Sequence, residues 1–116
     1  MKRVEKPWGH ELIWANSDKI TGKVLHIKKG HRLSLQYHKK KEEAVYVMSG
    51  NLKLTTKDKQ GNLVEKVLGV GSSHHVYPGD VHRFEAVDGD VTLVEVSTSE
   101  LCDVVRIEDD YKRVDS

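Results

Sequence analysis

The apolar residues of this chain repeat with a dominant period of two rather than 3.6, which selects strands over helices. Leu33-Ser34-Leu35-Gln36-Tyr37-His38 and Leu52-Lys53-Leu54-Thr55 alternate strictly, and Glu43-Ala44-Val45-Tyr46-Val47-Met48 is β-branched and aromatic. The runs 24–27, 74–77, 81–84 and 91–96 have the same character. Turn formers stand between them: Lys28-Lys29-Gly30, Ser49-Gly50-Asn51, Gln60-Gly61-Asn62, Pro78-Gly79-Asp80 and Asp88-Gly89-Asp90. Their glycines and short polar side chains suit reversals. Short strands about 8–12 residues apart predict an all-β sandwich or barrel with little helix. One short helical turn is expected in the tail, over residues 108–113.

With 116 residues the chain can bury one core but not two. A single domain over 1–116 is therefore expected, made of an N-terminal arm or strand (1–20), a barrel (21–107) and a C-terminal tail (108–116). Lys and Arg total 19 against 18 for Asp and Glu, a net charge of +1. That lacks the basic excess of a nucleic-acid binder. No apolar run approaches the ~18 residues of a membrane span, and the charged start Met1-Lys2-Arg3-Val4-Glu5 does not read as a secretory signal. Cys102 is the only cysteine. It cannot form an intramolecular disulfide, has no basic partner or motif, and is read as inert. A cytoplasmic location is expected.

The strand at 33–38 carries unusual polar residues. Gln36 and His38 share a face with Ser34, leaving Leu33, Leu35 and Tyr37 on the other. The short Lys39-Lys40-Lys41-Glu42 link is expected to return the next strand antiparallel, laying Glu43 beside His38. Glu43, Val45 and Val47 then share a face. Downstream, Pro78 and Gly79 set a turn, and His82 opens a strand on the face of Phe84. Imidazole, carboxylate and amide oxygen suit a borderline divalent ion, Zn²⁺ best and Mn²⁺, Fe²⁺ or Ni²⁺ less well. Singly, each residue has a plain reading: an edge-strand polar position, a solvated charge run, a hydrogen-bonded turn histidine. The joint spacing points to a site.

Other features take plain readings. His74 and His75 face opposite ways, so at most one reaches the interior. His10, His26 and His31 lack partners in spacing and are read as surface residues. Trp8 and Trp14 are read as core or interface residues. The lysines at 39–41 form a solvated turn, from which Lys41 can reach a phosphate.

Gly30, Gln36, His38, Glu43 and Gly50 fall at the spacing of the first cupin motif. Gly71, Tyr77-Pro78-Gly79 and His82 resemble the second, with Tyr77 in place of its usual proline and Ala86 at its final asparagine position. Cupins mostly carry histidine where Gln36 stands; glutamine there is characteristic of mannose-6-phosphate isomerases. The chain resembles the C-terminal isomerase domain of the bifunctional mannose-6-phosphate isomerase/GDP-mannose pyrophosphorylases, the type II phosphomannose isomerases, here standing alone. Four segments carry the likeness: Lys6-Pro7-Trp8-Gly9, Leu33-Ser34-Leu35-Gln36-Tyr37-His38, Pro78-Gly79-Asp80-Val81-His82-Arg83-Phe84-Glu85, and the closing run 103–113. Together they span nearly the whole chain.

That resemblance implies a cupin double-stranded β-helix, or jelly-roll barrel. It implies Gln36, His38, Glu43 and His82 as metal ligands and Arg83 as an active-site arginine. Lys41 stands where the family commonly has arginine, which keeps a cation but loses bidentate geometry. Val45 stands where the family often has tryptophan. The implied activity is metal-dependent aldose–ketose isomerisation of a sugar phosphate, with Arg83 and Lys41 holding anionic oxygens and with Glu95 or His75 as base if either points inward. The alternative is a cupin that binds a sugar or other small molecule without converting it. An Fe²⁺ oxygenase is a third reading, against which Gln36 argues. The expected partners are a small-molecule ligand and a second copy in a homodimer; no nucleic acid or membrane is expected.

Overall fold

The computed structural model describes residues 1–99 and 103–113; the reading of Cys102 lies outside the described residues. Among these, twelve strands and no helix form: β1 (Lys2–Lys6), β2 (Gly9–Asn16), β3 (Ile20–Ile27), β4 (His31–Arg32), β5 (Leu35–Tyr37), β6 (Glu43–Ser49), β7 (Leu52–Lys57), β8 (Leu63–Leu68), β9 (Ser73–Val76), β10 (His82–Ala86), β11 (Val91–Thr98) and β12 (Val105–Glu108). The period-two pattern thus becomes antiparallel pairing throughout. The first sheet runs β1-β2-β3-β11-β6-β9 and the second β12-β5-β10-β7-β8, with β4 also on β10. Residues 1–16 enter the first sheet as a hairpin laid on β3.

The inner faces meet in one apolar core. Leu25, Ile27, Val45, Val47, Val91 and Leu93 come from the first sheet, and Leu52, Leu54, Phe84 and Ala86 from the second. Trp8 joins them at 2% exposure. Trp14 takes the other fate. A bulge between Ile13 and Ala15 turns it out over Gly22, where any Cβ would collide with the indole. Gly50 closes the β6–β7 turn at φ +81, and a Cβ there would run into the Asp90 carbonyl.

Several expectations need correction. The tail makes no helical turn: Lys112 N donates to Asp109 O (3.1 Å) in a reverse turn, with Lys112 at φ +55. Asp109 stabilises it by accepting from the Arg113 backbone N–H (2.8 Å) and guanidinium (2.9 Å). The strand at 33–38 is broken after β4, because Leu33 N turns to Phe84 O (2.9 Å). Leu33 therefore packs against the core rather than sharing a face with Leu35. β5 and β6 are not a hairpin: they lie in different sheets, and residues 38–42 cross between them. His10, His26 and His31 do have partners. His10 stacks on His26 (5.2 Å), His26 reaches Thr92 Oγ1 and Asp90 Oδ2 (both 3.2 Å), and His31 bonds the Tyr111 hydroxyl (2.7 Å).

Candidate metal centre

Each sheet supplies part of the site. In the second sheet one rung places Arg106 of β12 beside Gln36 of β5, then His82 of β10, then Thr56 of β7. In the first sheet Glu43 opens β6 on its inner face, 3% exposed. His38 sits at the start of the crossover between them. Ligand atoms of His38, Glu43 and His82 all lie within 4.8 Å of one another, and all three residues are buried. His38 Nε2 is 2.8 Å from Glu43 Oε1, and His82 Nε2 is 3.3 Å from the same oxygen. Sequence reasoning brought these three together, although the route is an inter-sheet crossover.

Both imidazoles are oriented from behind. His38 Nδ1–H donates to the Asp103 carbonyl (2.6 Å), and His82 Nδ1–H to the Asp80 carbonyl (3.0 Å). A carbonyl only accepts, so each Nδ1 carries a hydrogen and each Nε2 faces Glu43; a metal at His38 Nε2 would take the place of the hydrogen by which that nitrogen bonds the Glu43 carboxylate. His82 Nε2 is buried without an aligned hydrogen bond, which costs free energy in a closed interior. Two imidazole nitrogens and a carboxylate oxygen form a donor set that fits a divalent transition ion.

The charges around this trio are arranged in a chain. Burial would raise the Glu43 carboxyl, but hydrogen bonds from Glu95 and His38, with His82 and Lys41 nearby, hold it well below the usual carboxylate range. Glu95, on β11 and 3% exposed, goes the other way. Burial first, then the charge of Glu43 and a hydrogen bond shared with it, push it well above its ordinary value. Lys41 Nζ lies 3.6 Å from Glu95 Oε2. Burial pulls the Lys41 ammonium down, but Glu95 and Glu43 outweigh it and leave it raised. The pair therefore holds one proton and one negative charge, with two buried lysines beside it, Lys41 and Lys23.

A cavity of about 90 Å³ opens beside His38 and Gln36, lined by Lys6, Lys23, Lys41, Arg106 and Arg113 among others. Glu11, 3.4 Å from Lys23 Nζ, is its one acidic lining residue. Gln36, expected as a fourth metal ligand, lines this cavity with its Oε1 accepting from the Ser34 hydroxyl (2.5 Å). Lys41 lines it too, buried at 6% exposure rather than waving in a solvated turn.

Arg83 is not brought to the cluster. It alternates with His82 and points to the opposite face of β10, donating to Leu33 O (3.0 Å), Glu108 Oε1 (3.2 Å) and Glu108 O (3.3 Å). There it ties the strand break to β12 instead of facing the cavity. Of the candidate bases, Glu95 points inward. His75 points out and bonds Glu42 (2.6 Å). His74 lines a separate cavity with Thr56 and Asp80. Lys6, Lys23 and Arg113 were missed. Lys23 had a signal, since it alternates with inward-facing Leu25 and Ile27; the other two enter from the chain termini and carry no local one.

Several known structures share this fold. The fold matches oxalate decarboxylase of Lactobacillus farciminis, seen as a formate complex (TM-score 0.75, 18% identity, 91% of this chain and 33% of that one). It also matches the capsular polysaccharide assembling protein CapF of Staphylococcus aureus (0.79, 16%, 92% and 34%). A third match is the Bacillus subtilis oxalate decarboxylase, known for Mn(II) centres (0.76, 19%, 92% and 30%). The chain spans about a third of the length of each. No curated protein matches it in sequence. Facing antiparallel sheets with a His-Glu-His cluster between them define a cupin with a candidate metal centre. Residues 1–116 match the family described as mannose-6-phosphate isomerase C-terminal, and the chain belongs to that family.

Proposed function

We propose that this protein is a metal-dependent isomerase of a phosphorylated sugar, interconverting aldose and ketose forms as mannose-6-phosphate isomerases do. The observation that carries the reading is the excess of cations around the cavity that reaches the trio at His38. Among the described residues, and with Arg106 left out of the count, Lys6, Lys23, Lys41 and Arg113 outnumber Glu11, Glu43 and Asp109 and leave positive charge facing the space. That suits a small ligand carrying a phosphate or another anionic group. Zn²⁺ is the ion best suited to two imidazoles and a carboxylate, with Gln36 beside them; the Mn(II) centres of the oxalate decarboxylase make manganese the competing choice. When bound, such an ion acts as a Lewis acid on sugar oxygens. Lys6 and Arg113 hold the anionic end, and Lys41 steadies negative charge nearer the trio. Glu95, which carries a proton at its carboxyl beside Glu43, is the interior group placed to give and take one.

Turnover of mannose 6-phosphate to fructose 6-phosphate in a coupled assay, lost on chelation and restored by Zn²⁺ or Mn²⁺, is the expected result. Metal-loaded protein that converts none of several phosphosugars is not an isomerase of this class. If it is nevertheless thermally stabilised by them, it is a binding cupin.

We also propose that it works as a homodimer. Trp14, Ile20, Tyr46, Met48 and Val96 are each about half exposed or more. They lie together on the outer face of the first sheet, where Val96 pairs with Gly22 and Ala44, and Val94 with Tyr46. One such patch on each copy makes an isologous pair about a two-fold axis. Light scattering is expected to give twice the chain mass; a monomer mass at working concentration refutes the dimer.

A further inference from the structure

His38 directly follows β5 of the second sheet and Glu43 opens β6 of the first, so the trio exists only if the four-residue crossover between them has one conformation. Its sequence opposes that. Lys39, Lys40 and Lys41 repel one another, and no turn glycine or proline fixes the path. Its far end is held by Thr98, which bonds Glu42 N (3.1 Å) and Glu42 O (3.0 Å); what fixes residues 39–41 comes from more than sixty residues away. The Asp103 carboxylate accepts three successive backbone N–H groups: Lys39 at 3.2 Å, Lys40 at 2.6 Å and Lys41 at 3.0 Å. Converging amides of this kind form a concave anion-binding seat. The backbone carbonyl of the same residue takes the His38 Nδ1–H at 2.6 Å. Meanwhile Gly79 N donates to His38 O at 2.7 Å, from a turn whose φ of +87 suits glycine. That bond couples the His38 crossover to the turn that leads into His82.

We infer that Asp103 is a positioning residue of the metal centre: its carboxylate sets the crossover, and its carbonyl holds the His38 ring with Nε2 toward Glu43 and His82. This rests on the metal-site reading given above but concerns a residue outside the trio. The carbonyl survives any substitution, yet its place depends on the carboxylate clamp beside it. Loss of the clamp frees residue 103 to drift and the imidazole to turn. Outer partners of this kind are worth about 10–100-fold in metal affinity.

The test compares Asp103→Ala with Asp110→Ala. Asp110 anchors the same closing segment through Arg32 (2.7 and 2.9 Å) but touches neither the crossover nor the trio. Zn²⁺ affinity is measured by competition with a chromophoric chelator. The His38 Nδ1–H is followed in metal-free, ¹⁵N-labelled protein by long-range proton–nitrogen correlation. The expected result is a fall of about 10–100-fold in Zn²⁺ affinity for Asp103→Ala, with the His38 Nδ1–H signal lost. Asp110→Ala keeps both within twofold. Asp103→Asn, which retains a side-chain carbonyl acceptor, falls between parent and alanine variant, and it replaces the alanine variant in the comparison if that one does not fold. Zn²⁺ affinity within twofold of the parent and an intact Nδ1–H signal in the variant overturn the inference. A parent that binds no Zn²⁺ sinks the metal reading instead. The Nδ1–H signal of metal-free protein then decides on Asp103 alone, its loss in the variant supporting the role and its persistence overturning it.

Discussion

Replacing His38 by alanine is expected to lower Zn²⁺ affinity by more than about 100-fold while the barrel still folds. His38 supplies one of two imidazoles in the trio, the strongest neutral ligand type there for a borderline ion. Glu43 and His82 alone leave two donors where a transition ion needs three or more protein ligands. The fold does not depend on this ring. The core is built from residues such as Ile27, Val47, Leu54, Phe84 and Leu93, none of which His38 replaces. Glu43 loses one hydrogen bond but keeps those from Glu95 and the charge of Lys41. The metal-free variant therefore loses only about 1–3 kcal/mol, the cost of leaving buried polar groups short of a partner. Metal content after dialysis, read beside circular dichroism and a urea titration, checks both halves. A variant that keeps stoichiometric Zn²⁺ shows that the ion sits elsewhere.

The substitution is informative because the trio is the part of this molecule that sequence reasoning reached most directly. Alternation put Glu43, Val45 and Val47 on one face, and all three are inside. Turn-forming runs marked reversals that the chain makes at positive φ, Gly30, Gly50, Gly61 and Gly79 among them. What alternation does not encode is which strands pair. β5 and β6 look like a hairpin from their four-residue link, yet they part into separate sheets. Alternation relative to His82 does show that Arg83 faces the other way, but the family likeness outweighed that signal. Contacts made by the chain ends are the least legible. Asp103 meets Lys39–Lys41 and Arg113 enters the cavity across sixty residues or more, and no local pattern announces a pairing that only the closed barrel creates.

Lys41→Met should do the reverse of His38→Ala: cost stability and spare the metal. Lys41 is 6% exposed and is the cation that acts on both Glu43 and Glu95, Lys23 beside Glu95 being paired with Glu11. Methionine keeps the length and apolar stem of lysine and removes the charge, leaving a buried carboxylate without its ammonium. Removing one partner of a buried ion pair costs about 3–5 kcal/mol, and the hydrogen bonds remaining on Glu43 place this case near the lower figure. Glu95→Gln is the contrasting control. Because Glu95 carries the shared proton, a neutral amide that donates to Glu43 preserves the bond, and a loss of about 1 kcal/mol or less is expected. Urea titrations of chelator-treated protein measure both. A divalent ion brings positive charge back to Glu43, so saturating Zn²⁺ narrows the gap between Lys41→Met and the parent, as linkage requires when the variant binds the ion at least as tightly. A Lys41→Met protein that loses less than about 1 kcal/mol in the metal-free state, or whose deficit widens on adding Zn²⁺, contradicts a buried lysine that balances the charge of the ligand carboxylate.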